Sequence, residues 1–122
     1  MKQNNSKVMF SFNPHILPIF RGMMSTIYCD LTNNIKKTDI IKCFQELENE
    51  NYFIKFVNNN ERVDFFSVQN TNTTILKIFD HYDDTKIIIV SVIDNLQKGA
   101  AGQAIQCFNL SNGFNESSGL KK

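Results

Sequence analysis

Apolar residues recur along this chain with two different periods, and the switches between them mark out the elements. Met23, Ser25, Ile27, Cys29 and Leu31 alternate with Met24, Thr26, Tyr28 and Asp30, which predicts a strand with two distinct faces. From residue 38 the period lengthens. Ile40, Ile41, Phe44 and Leu47, with Cys43 beside them, share one stripe, while Lys42, Glu46 and Glu48 lie opposite, which predicts a helix running to about Asn51. Thr38 is the expected cap, with Asp39 in the first turn, where a carboxylate favours the positive end of a helix. Tyr52–Val57 reads as a strand, Asn58–Glu61 as a turn, and Val63–Val68 as an extended continuation. Gln69–Thr74 is polar and has no period. Thr74–Phe79 and Lys86–Ile93 predict a hairpin around Tyr82–Thr85. The run Ile87–Ile93 is continuous, β-branched and too short for an ordinary helix, so it is expected to be a strand buried on both faces. Asp94-Asn95 ends it. A helix follows over Gly99–Leu110, where Ala100, Ala101 and Ala104 offer a face for close packing.

Ahead of residue 23 the pattern is weaker. Residues 1–7 are polar and expected to fray, Val8–Phe12 is a short strand candidate, and Pro14 and Pro18 enforce an irregular loop ending at Arg21-Gly22. The order β-loop-β-α-β-β-β-β-α predicts an α+β fold, a mixed and mostly antiparallel sheet with helices on one face. The 122 residues fit one domain with a real core. With 13 basic against 12 acidic residues, charge gives no reason to expect nucleic acid or an anionic membrane as partner. No apolar run approaches the ~20 residues needed to span a bilayer, and the start has no apolar signal core. The expected location is cytoplasmic. Cys29, Cys43 and Cys107 lack metal-ligand spacing and are expected as three buried thiols.

Candidate chemistry gathers at the turn after Ile93. Ligands in sheet proteins commonly sit beyond the carboxyl end of a strand and at the positive end of a helix. Lys98 is a cation at such a helix start, which costs roughly 0.3–1 kcal/mol unless something negative lies nearby; a solvated surface lysine and a contact with an anion both fit. Arg21 presents a guanidinium fork suited to carboxylate or phosphate, and an internal salt bridge fits equally. His15 has the titration range of a general base, or is a loop residue held between two prolines. His81, beside the hairpin turn, is expected in solvent.

Two blocks carry a resemblance. One is Phe12-x-Pro14-His15-x-x-Pro18-x-x-Arg21-Gly22-x-x-Ser25-Thr26-Ile27-Tyr28. The other is Asp94-Asn95-Leu96-x-Lys98-Gly99-Ala100-x-Gly102-Gln103-Ala104, followed by Gln106, Asn109-Leu110, Gly113-Phe114 and Glu116-x-x-Gly119-Leu120. In this order the chain resembles the carboxyl end of N-acetyl-gamma-glutamyl-phosphate reductase. The resemblance implies a catalytic and dimerisation domain like that of glyceraldehyde-3-phosphate dehydrogenase, spanning residues 1–122. It implies NADPH-dependent reduction of an acyl phosphate to N-acetylglutamate semialdehyde in arginine biosynthesis, in a homo-oligomer, dimer or tetramer.

The resemblance also implies site roles. Asn95, Lys98 and Gly99 would border the cofactor; Arg21, His15 and Asn72 would meet the substrate. Thr71 and Asn72 match a short family segment in which Asn70 replaces a glycine. The family's nucleophilic cysteine, its His-Arg-His-x-Pro-Glu motif and the dinucleotide-binding fingerprint have no counterpart here. No catalytic residue is therefore assigned, the chain alone is expected to be inactive, and NADP would be held mainly by an N-terminal domain against which the last helix packs. Two alternatives stay open: a small α+β metabolite-binding or assembly module without catalysis, and the related lysine-pathway (aminoadipate) reductase.

Overall fold

A computed structural model describes residues 10–32, 34–57 and 60–122. Its frame is a single four-stranded sheet. The hairpin forms as the pattern requires: β3 (Thr74–Asp80) and β4 (Lys86–Ile93) pair antiparallel, with Ile78 opposite Ile89. Asp83 closes the turn, its carboxylate accepting from the Thr85 N–H at 2.9 Å and the Thr85 hydroxyl at 2.6 Å. This is the local side-chain-to-backbone bonding that suits aspartate to turns. β1 (Met23–Asp30) pairs antiparallel with the other edge of β4, and β2 (Ile54–Val57) pairs parallel with β3. The order β1-β4-β3-β2 is a mixed, mostly antiparallel sheet, as expected.

The registers assign the faces. Val57, Ile75, Val90 and Val92 share one face and form the buried cluster together with Val68 from the loop above it. Ile54, Phe56, Ile78, Ile87 and Ile93 share the other. There α1 (Lys37–Glu50) lays Phe44 edge-on to Phe56, at 5.6 Å between ring centres, and Ile93 lies against Gly99 at the start of the last helical segment. α1 and the start of the last helical segment therefore lie on the same face.

Several expectations change. α1 is capped by Lys36, not Thr38: the Lys36 N–H donates to Asp39 Oδ2 at 2.9 Å, so Asp39 closes the first turn from the third helical position. None of its stripe is fully buried; Ile40, Ile41, Phe44 and Leu47 are half-buried and Cys43 is exposed. With Cys29 half-buried and Cys107 exposed, the three cysteines are not core thiols. They sit on elements that leave at least one face uncovered. Val63–Val68 is not a strand. Asp64 accepts from the Ser67 N–H and hydroxyl, both at 2.9 Å, and curls the segment into a 3₁₀ turn at Phe66–Val68. Val63, Phe65 and Val68 thereby become a lid on the core rather than a sheet edge. Of the Val8–Phe12 strand candidate, residues 10–12 are irregular; the rest, like residues 1–7 and part of the Asn58–Glu61 turn, lies outside the described residues. β4 is buried at Ile87, Val90 and Val92 and half-buried at Ile88, Ile89 and Ile93. His81 is half-buried, its Nδ1 accepting from the Asp83 N–H at 3.0 Å.

The last helix opens with a π turn at Gln97–Ala101 and continues as α2 (Gly102–Ser111). The small face at Ala100, Ala101 and Ala104 is exposed, as are Ile105, Phe108 and Leu110. The helix docks through polar side chains instead. Asn109, buried, donates to the carbonyls of Glu116 at 3.2 Å and Ser118 at 2.9 Å. The tail then reaches Asn72, whose N–H donates to the Lys121 carbonyl at 2.7 Å. No helix among the described residues is long and apolar enough to cross a membrane.

A helix held by a few polar bonds should open more readily than a central strand laddered on both edges. Native-state hydrogen exchange on this chain should show the amides of Ala104–Leu110 exchanging far faster than those of Ile87–Ile93. Equal protection in a monomer would mean that the helix has a complete apolar seat of its own.

Candidate functional site

The two motif blocks meet at Asp94. Its side chain is fully buried, and four donors satisfy it. Oδ2 accepts from Arg21 Nη1 at 2.7 Å and the Asn70 N–H at 2.7 Å. Oδ1 accepts from the N–H groups of Leu96 at 2.7 Å and Gln97 at 3.1 Å. Next to it, Asn95 Oδ1 accepts from the Gly22 N–H at 2.8 Å, and Gln69 Nε2 donates to the Arg21 carbonyl at 3.0 Å. Three separate segments are thus knotted by one carboxylate and its neighbours. Burial pulls the Asp94 carboxyl upward, but the Asn70 N–H, the Arg21 guanidinium and the Leu96 and Gln97 N–H groups together hold it below the usual carboxylate range.

Backbone geometry serves the knot. Gly22 has φ 131 and leaves no room for a side chain beside the Phe65 ring. Asn70 has φ 61, a left-handed conformation that glycine adopts freely and asparagine tolerates best among other residues. Asn70 therefore suits the turn that aims this N–H at Asp94.

The knot also answers for the helix start. The N–H groups of Leu96 and Gln97 are spent on Asp94 Oδ1, and that of Gly99 donates to the Asp94 carbonyl at 2.9 Å. The anion at this positive end is Asp94 itself. The expectation of a ligand seat on these backbone groups is not met, and they offer no cradle to the phosphates of a dinucleotide.

Lys98 turns inward. Its Nζ donates to Gln106 Oε1 at 2.6 Å and lies 5.5 Å from the centre of the Phe53 ring. Gln106 also accepts from Asn72 Nδ2 at 3.0 Å and donates to Glu116 Oε2 at 3.0 Å. Burial pushes the Lys98 ammonium below the usual lysine range, with the Glu116 carboxylate acting in the opposite direction. Asn72 is buried, and its Oδ1 faces Gly102, where a β-carbon would overlap it and press within 3.0 Å of the Gln97 carbonyl. Asn72, Lys98 and Gln106 are one internal network.

Of the residues named from sequence, Arg21, Asn95 and Gly99 adjoin the knot, while Asn72 and Lys98 lie in the network behind it. His15 stands apart in the exposed loop, its Nδ1 3.0 Å from the Asn13 carbonyl oxygen. Sequence reasoning gave no site role to Asp94, Asn70, Gln69 or Gln106. Asp94 opened the second motif block and ended a strand, but nothing local marks an aspartate whose partner lies 73 residues away. A cleft of about 320 Å³ lies at the other end of the sheet, lined by Lys36, Lys37, Asp80, His81 and Lys86 among others, and no residue of either motif block borders it. No group of three or more metal-binding side chains occurs among the described residues.

The model of the semialdehyde dehydrogenase dimerisation domain matches residues 1–95. The chain belongs to that family. Among its relatives are proteins named N-acetyl-gamma-glutamyl-phosphate reductase. That from Clostridium beijerinckii is 38% identical over 98% of this chain and 34% of its own length. That from Clostridium botulinum is 40% identical over 95% and 34%, and that from Methanococcus maripaludis 35% identical over 95% and 34%. The chain therefore spans about a third of the length of the curated relatives it matches. In structure, this semialdehyde dehydrogenase dimerisation domain resembles aspartate semialdehyde dehydrogenase II of Vibrio cholerae, with a TM-score of 0.65 and 16% identity over 80% of this chain and 29% of that one. The enzyme of Francisella tularensis gives a TM-score of 0.61 and 20% identity over 79% and 28%. These likenesses agree with the α+β fold.

Two outcomes test the knot. Asp94→Ala strands the Arg21 charge and three N–H groups, and should cost about 3–5 kcal/mol in denaturant unfolding. Because the folded carboxyl titrates below its unfolded value of about 3.9, the Asp94 contribution is present above that pH and is lost as pH falls through the lower, folded value. The gap between wild type and Asp94→Ala should accordingly narrow below about pH 4. At residue 70, Asn70→Gly should be tolerated while Asn70→Val, forced to positive φ, should lose about 1–3 kcal/mol. Equal stability of the two would mean that the turn is not held left-handed.

Proposed function

We propose that this chain supplies the substrate-facing and subunit-pairing part of an NADPH-dependent N-acetyl-gamma-glutamyl-phosphate reductase, acting in the cytoplasm in arginine biosynthesis. The observation that carries the reading is the meeting of its two motif blocks through Arg21 and Asp94, 2.7 Å apart and 73 residues distant in sequence. An arrangement in which both blocks build one surface gives a reason for their joint occurrence that a simple metabolite-binding module does not.

In this reading the cofactor supplies the hydride and the nucleophilic thiolate lies on the upstream portion, with the nucleotide phosphates bound there as well. The residues of this chain bind and orient. Arg21 offers guanidinium N–H groups to an anionic part of the acyl-phosphate substrate. Asn95, with its oxygen committed to Gly22, keeps its amide N–H groups for the cofactor side, next to Gly99. Lys98 and Asn72 shape this edge from behind, and His15 borders the substrate only if the loop around it closes. The open half of the sheet suits subunit pairing: Met23 is 47%, Ile27 45% and Tyr28 71% exposed on β1, on both faces.

A coupled assay of acyl-phosphate reduction tests the proposal. The chain alone should be inactive, and the chain joined to an upstream nucleotide-binding portion should turn over. Activity from the isolated chain would overturn the division of labour, and inactivity of the joined protein with a folded domain would overturn the reading.

A further inference from the structure

We propose that Asp94 is a positioning residue: it pins one edge of the Arg21 guanidinium so that the rest of the fork faces outward to bind a carboxylate or phosphoryl oxygen. The proposal rests on the reading of Arg21 as a substrate contact and adds the device that orients it. Asp94 is shared among four donors, of which Arg21 supplies one. The rest of the guanidinium has no partner among the described residues, and the Arg21 side chain keeps 27% of its surface while that of Asp94 keeps none.

The guanidinium is planar, with five N–H donors in a fixed geometry, so one bond at Nη1 sets the direction of the others. The backbone of Arg21 is fixed too, by Gln69 on its own carbonyl and Asn95 on the following N–H. Both ends of a long, rotamer-rich side chain are therefore held before any ligand arrives, and a donor array so preorganised loses less entropy on binding. A lysine would satisfy the same carboxylate oxygen but would leave no oriented fork behind it.

The test uses the labelled 122-residue chain, in which Arg62 is the only other arginine and the Arg21 Nε–H signal is readily assigned. N-acetylglutamate and inorganic phosphate are titrated separately at constant ionic strength. The result expected is a saturable shift of the Arg21 signal, with N-acetylglutamate if a carboxylate is the ligand and with phosphate if a phosphoryl group is. In Asp94→Asn that retains the wild-type amide spectrum, affinity should fall at least tenfold. In Arg21→Lys, which keeps the charge and loses the fork, affinity read from the backbone amide shifts of Gly22 and Asn70 should fall by a similar factor. No saturable shift with either probe, or wild-type affinity in folded Asp94→Asn, would overturn the proposal. Should Asp94→Asn not fold, wild-type affinity in Arg21→Lys would overturn it alone. An active joined reductase beside a silent Arg21 signal would sink the positioning role and leave the proposed function standing.

Discussion

One buried carboxylate sets the terms for the whole site. An ionised aspartate removed from water is costly unless hydrogen bonds replace its hydration, and Asp94 draws its four donors from three segments far apart in sequence. The consequence runs outward. The proline loop must end at Arg21, the Gln69–Thr73 segment must turn left-handed at Asn70, and the helix after β4 must present its first N–H groups to Asp94. Each of these is a backbone decision with little local reason. The carboxylate couples them, so none can relax without stranding the others.

The same residue settles how Lys98 can sit at a helix start. A cation there opposes the macrodipole, but the dipole already faces Asp94, and Lys98 leans away toward Gln106, the Phe53 ring and the field of Glu116. The tail closes this arrangement by returning Glu116 to Gln106 and Lys121 to Asn72. α2 is therefore docked by amides and charges on one side while Ile105, Phe108 and Leu110 stay uncovered on the other. Such a helix has two faces to satisfy and satisfies one within this chain. β1 stands in the same position, paired along one edge and open on both faces.

Much of the frame was legible because it rests on periodicity. β1 follows alternation, α1 a helical stripe and β4 a continuous β-branched run that pairs with β3, and the mixed antiparallel sheet follows from their order. Where the sequence misled, short-range polar bonds had overridden the pattern. Val63–Val68 has strand propensity, but Asp64 bends it onto Ser67. Thr38 looks like a cap, yet the Asp39 carboxylate reaches back to Lys36 and starts the helix earlier. The cysteines looked like core thiols because their elements looked two-sided. Arg21 could be singled out by chemistry alone, whereas Asp94 could not, since its importance lies in distant partners that no window of sequence contains.

This difference bears on what the family signature encodes. Asp94 and Asn95 lock to Asn70 and Gly22; Lys98 and Gln106 bond to each other; Gly102 exists in the space that Asn72 leaves; Asn109 and Glu116 hold the tail. Most polar residues of the second block are thus consumed inside the domain, whereas His15, Ser25, Thr26 and Tyr28 of the first are exposed. A motif built in this way specifies one arrangement of loops, because changing one member leaves a buried donor or acceptor without its partner. It follows that the match speaks first to architecture. At this junction the groups with donors left over are the rest of the Arg21 guanidinium and the amide N–H groups of Asn95.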